Sequence, residues 1–156
     1  MAGRVEWVLL AYRVPREPSS PRIAIWRRLR RLGVAQIVDG LVALPADART
    51  VEHLEWVADE VTDTGGEASL WVGRLQSTAQ ERHVIRRMAE GVAAEYQAVI
   101  DEVEAGEDLT VSARRRVVAR LRRELHRIEQ RDYFPPPERA RAKRAVNGLA
   151  AALEPV

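Results

Sequence analysis

The sequence predicts an α+β fold: a ferredoxin-like βαββαβ antiparallel sheet followed by an all-helical tail of two long helices and a short third. Three observations carry that expectation. Four short β-branched or aromatic runs lie in the first half, helical apolar periodicity alternates with them, and no strand signal remains after residue 76. A chain of 156 residues buries a core of its own without covalent staples, and this one has no cysteine.

The first run is VEWVLLAYRV, residues 5–14, stopped by Pro15. Its apolar side chains fall on both parities, Trp7, Leu9 and Ala11 against Val8, Leu10 and Tyr12, which predicts a strand covered on both faces. After a proline-punctuated loop, Ser20 before Pro21 signals an N-cap with proline at the first helical position. That helix, about 21–32, turns Ile25, Trp26, Leu29 and Leu32 inward and ends at Gly33. Val34–Val38 and Leu41–Leu44, joined by Asp39-Gly40, predict a hairpin with a type I′ turn, which needs positive φ at both turn positions. Thr50 is the expected cap of a helix over 51–63, Gly65-Gly66 breaks it, and Glu67–Leu75 is the fourth strand.

Ser77 or Thr78 then caps a long helix, 79–104, whose stripe Ile85, Met88, Val92, Tyr96, Val99 and Val103 steps by three and four. A second helix, 110–131, carries Val117, Leu121, Leu125 and Ile128, and Tyr133 to Pro137 stops it. Glu138 lies in the first turn of a third helix with Val146, Leu149 and Leu153. The expected organisation is a sheet domain over 1–76 and a helical tail over 77–156 packed on it as one structural unit. Two helices cover one face of such a sheet, so tail packing and homodimerisation together are expected to cover the other.

The longest apolar run, Trp7–Tyr12, is far too short to span a bilayer, and Met1–Glu6 has no signal-peptide pattern. A cytoplasmic protein is expected. Of 25 basic residues only Lys143 is lysine, yet the net charge is +2, so any anion-binding argument depends on where the arginines lie. Arg27, Arg28 and Arg31 share a face of the first helix, with Arg22 near its start. Eight arginines crowd the penultimate helix, opposite an acidic block from Glu95 to Asp108 that has no basic residue. In a helical hairpin that block lies beside Arg114, Arg115 and Arg116 and favours pairing with them. Arg120, Arg123 and Arg127 are expected beyond its reach, free for phosphate. The expected DNA- or oxyanion-binding set is therefore Arg22, Arg27, Arg28, Arg31, Arg120, Arg123 and Arg127.

Enzyme chemistry has no visible footing. His53, His83 and His126 are isolated, Glu81-Arg82-His83 is a helix-surface triplet, and no nucleophile elbow, P-loop or dinucleotide fingerprint is present. No enzyme, cofactor or metal site is expected. Trp7, Trp26 and Trp71 are assigned to the core, and Trp56 is the one candidate contact tryptophan. No helix-turn-helix spacing or aromatic RNA-binding motif appears.

Several residues carry a family resemblance. Trp7-Val8-Leu9-Leu10-Ala11-Tyr12-Arg13-Val14-Pro15, Pro18-Ser19-Ser20-Pro21-Arg22, Trp26-Arg27 with Leu29, and Leu32-Gly33 resemble the N-terminal domain of the chromate-resistance regulator family, ChrB. Gly40, Leu44-Pro45, Gly65-Gly66-Glu67-Ala68 and Asp132-Tyr133-Phe134-Pro135 continue the likeness over nearly the whole chain. A more distant similarity is to the central domain of phenylacetate-degradation repressors. The resemblance implies a bacterial, chromate-responsive transcriptional regulator. Full-length members carry a second, C-terminal domain of similar size that has no counterpart before Val156, which leaves open whether a partner supplies it. The alternative is a stand-alone accessory module that binds an oxyanion or a protein partner without touching DNA.

Overall fold

The computed structural model describes residues 4–153; Met1, Ala2 and Gly3, on which the signal-peptide expectation partly rests, lie outside them. The chain divides into two compact units, Met1–Arg87 and Met88–Val156.

The first unit is α+β. Its strands are β1 (Trp7–Arg13), β2 (Ala35–Val38), β3 (Leu41–Pro45) and β4 (Glu67–Gly73), interleaved with α1 (Ser19–Leu32) and α2 (Ala48–Asp63). All four form one antiparallel sheet in the order β2-β3-β1-β4. β1 is central, with Leu10 opposite Val42 on one side and Leu70 on the other. Its two parities are covered unequally: Val8 and Leu10 are buried on one, while on the other Trp7 is buried and Leu9 and Ala11 are half-buried. Val8, Leu10, Val42 and Leu44 are fully buried on one face, together with Ile25 and Leu29 of α1 and Leu54, Val57 and Val61 of α2. Trp7 and Ala43 are buried on the other face.

Several local expectations are corrected. Ser20 does not cap α1: the helix starts at Ser19 after an extended Pro18, without a side-chain cap bond. Pro21 is the third helical residue, where its missing N–H costs nothing because the first turn has no intrahelical acceptor. Thr50 does not cap α2 either. Asp47 does, accepting from the Thr50 amide at 2.8 Å, while Thr50 Oγ1 accepts from the Asp47 amide at 2.9 Å. This is a capping box with threonine in place of the usual Glu or Gln. The β2–β3 turn is not type I′, because only Gly40 has positive φ, at 79°. Trp71 is not a core residue. It is 64% exposed on the edge strand β4, where its Nε1 donates to Ser69 Oγ. Glu81, expected on the surface, is 8% exposed and accepts from the Val5 amide at 2.8 Å.

The helices that follow are α3 (Thr78–Ala105), α4 (Val111–Gln130) and α5 (Pro137–Ala151). Ser77 Oγ accepts from the Gln80 amide, and Thr110 caps α4 through the Ala113 amide. In the second unit Val92, Tyr96, Val99 and Val103 of α3 pack with Val118, Leu121, Leu125 and Ile128 of α4 and with Ala142, Val146 and Leu149 of α5. The expected stripe of α4 holds at Leu121, Leu125 and Ile128; at its start Val118 is the buried residue and Val117 is partly buried against the same core. Among the described residues, no helix is long and apolar enough to cross a membrane.

Candidate functional site

The α1 arginines do not form one patch. Arg22 and Arg31 are nine residues apart, which at 3.6 residues per turn puts them on opposite sides of the helix. Arg27 and Arg31 are exposed and make no ion pair among the described residues. Arg28 is engaged: its Nε lies 3.2 Å from Glu60 Oε2, joining α1 to α2.

Arg22 instead lines a cavity of about 800 Å³ at the end of the sheet, shared with Tyr12, Arg13, Arg16, Trp26 and Gln36. Its rim comes from four places: the end of β1 and its proline-rich loop, the start of α1, the β2–β3 turn and the α2–β4 turn. Two glycines let these turns close. A Cβ on Gly40 would sit 2.7 Å from the Tyr12 carbonyl oxygen, and one on Gly66 would sit 2.4 Å from that of Arg13. Three of the charged groups facing the cavity, Arg13, Glu67 and Asp39, already have partners. Arg13 pairs with Glu67 at 2.8 Å, and Gln36 Nε2 donates to Asp39 Oδ1 at 3.2 Å. Arg16 and Arg22 are exposed and make no ion pair among the described residues. Burial pushes the Tyr12 phenol above its ordinary value, Asp39 adds to that, and Arg22 opposes it. The sequence assigned Tyr12 to the first strand and Trp26 to the core, where Trp26 is in fact half-buried at the cavity. It did not single out Arg16, since a strand, a helix stripe and a loop arginine give no sign of a shared concavity.

The tail-helix expectation is corrected at its centre. Arg120 is not beyond the acidic block: it pairs with Glu102 on α3, which also raises its pKa through that hydrogen bond. Arg127 is held by Glu124 on its own helix, through Nε at 3.1 Å and Nη2 at 2.6 Å. Arg131 grips Glu95 with Nε and Nη2, at 3.3 and 2.5 Å. Arg114 donates to the carbonyls of Glu107 and Leu109 rather than to a carboxylate. Of the three tail-helix arginines expected to be available, only Arg123 makes no ion pair among the described residues.

It has neighbours that the sequence reading set aside. Arg115, Arg116, Arg122 and Arg123 are all exposed, and none makes an ion pair among the described residues. At 100° per residue they fall within one 120° arc of α4, with Arg116 and Arg123 opposite the buried Val118, Leu121, Leu125 and Ile128 and with Arg115 and Arg122 flanking that stripe. His126 is exposed on the same side. From Arg115 to Arg123 the stripe runs about 12 Å. Four planar guanidinium forks that make no ion pair among the described residues suit bidentate contact with phosphate oxygens.

A family model described as Protein ChrB, N-terminal, matches residues 22–155. Protein ChrB of Cupriavidus metallidurans is 24% identical over 152 residues, which is 95% of this chain and 46% of the relative. The chain thus spans about half the length of that curated relative. No solved structure matches.

Proposed function

The chain belongs to the ChrB N-terminal family, and from that premise we propose that it is a non-catalytic regulatory protein of chromate resistance. In this reading it acts in the cytoplasm on a chromate-resistance operon, contacts DNA through phosphates and responds to chromate or a similar oxyanion. The observation that carries the DNA contact is the exposed arc of α4 with Arg115, Arg116, Arg122 and Arg123, none of which makes an ion pair among the described residues. Each phosphate neutralised by such a residue releases counterions, so affinity comes with steep salt dependence. Phosphate contacts fix orientation without reading bases. Specificity would then come from two copies placed symmetrically on the duplex, and we take the β2-β3-β1-β4 sheet as ferredoxin-like and dimer-forming.

The test is a gel shift with the DNA upstream of the chain's own gene, against unrelated competitor DNA, with and without chromate. A specific shift that chromate releases is the expected result. Absence of any specific shift at low salt would sink the DNA contact, and a shift indifferent to chromate would remove the chromate response.

A further inference from the structure

We propose that the cavity at the end of the sheet binds an aromatic phosphate of mononucleotide size, its phosphate on Arg16 and Arg22 and its ring against Trp26. This goes beyond the regulatory reading and involves none of the α4 arginines. The volume of about 800 Å³ lies in the range of small-molecule sites, roughly 300–1,000 Å³. A bare tetrahedral oxyanion would fill little of it and would leave the aromatic side unused.

The lining divides by chemistry into parts that match such a ligand. Arg16 and Arg22 are the two cations of the cavity without a carboxylate partner among the described residues, and guanidinium forks bind phosphate bidentately. Trp26 and Tyr12 are half-buried, so each keeps part of its ring surface open. Trp26 thus offers a face for a flat ring. Gln36 and Asp39 form a hydrogen-bonding pair on the rim, suited to the hydroxyl or amino groups of a nucleoside. Arg13 is committed to Glu67, which keeps that carboxylate from competing for Arg16 or Arg22.

Isothermal titration of the full chain with adenosine monophosphate, adenosine, inorganic phosphate and chromate tests this directly. The nucleotide should bind one to one, about tenfold or more tighter than either adenosine or phosphate. R16Q/R22Q should weaken it by about tenfold or more, and these exposed side chains can be changed without disturbing the core. R122Q/R123Q should leave it unchanged, which separates this site from the DNA contact. Nucleotide binding no tighter than phosphate, chromate binding tighter than the nucleotide, or indifference to R16Q/R22Q would each overturn the proposal.

Discussion

Tyr96 shows how one residue's surroundings set a measurable property. Its ring is fully buried in the helical unit, and its hydroxyl donates to Asp132 Oδ2 at 2.7 Å. Arg139 Nη1 lies 3.8 Å from the same oxygen. Burial first, and then the Asp132 hydrogen bond, push the phenol far above its ordinary value of 10.0. The folded state therefore keeps a proton that the unfolded chain loses as pH rises through about 10. That part of the stability is fully present below pH 10 and is lost above it. Tyr96→Phe should cost about 1–3 kcal/mol near neutral pH, because Asp132 loses its donor. It should also flatten the alkaline limb of a stability–pH curve. Chemical denaturation from pH 7 to 11 checks both. A mutant limb as steep as that of the wild type would assign the alkaline loss to another group, such as Tyr12, whose phenol pKa is also raised.

At the scale of elements, the helices and strands were legible because apolar periodicity follows from burial. Their ends were less so. The cap of α2 was missed because Asp47 and Thr50 exchange bonds across three residues, and a threonine in place of Glu or Gln hides the usual signature. Asp47 accepts the Thr50 amide, and this bond, ahead of the smaller contributions, holds its carboxyl below the ordinary 3.8. Its contribution is present above that value and is lost as pH falls further. Asp47→Ala should cost about 1 kcal/mol at neutral pH and less in acid, measured by thermal unfolding. The β2–β3 turn was misjudged because Asp-Gly supports more than one turn, and here only the glycine goes left-handed. Trp71 was assigned to the core because periodicity cannot tell an edge strand from a central one. The partners of Arg120 and Arg127 were hidden for a related reason. Distance along the chain from the hairpin turn says little about which carboxylate lies across the helix pair, or one turn back on the same helix.

For the molecule as a whole, the net charge of +2 conceals strong segregation. Much of the basic charge is consumed locally: Arg13 by Glu67, Arg28 by Glu60, Arg120 by Glu102, Arg127 by Glu124 and Arg131 by Glu95. Exposed pairs of this kind add about 0–1 kcal/mol each. Their larger effect is to remove those arginines from the set able to meet an external anion. The sequence made the presence of a basic helix plain, and of its three predicted contact residues Arg123 makes no ion pair among the described residues. It could not show the unpaired arc as a whole, because Arg115, Arg116 and Arg122 are distinguished only by making no ion pair among the described residues.

The central claim is that this face of α4 meets DNA phosphates, and the salt dependence of binding tests it most directly. Affinity for a duplex should be measured over a salt series for the wild type and for R122Q/R123Q, with folding verified by circular dichroism. If the two arginines each neutralise a phosphate, the slope of log K against log salt becomes shallower by about 2 in the variant. An unchanged slope with intact fold would contradict the account.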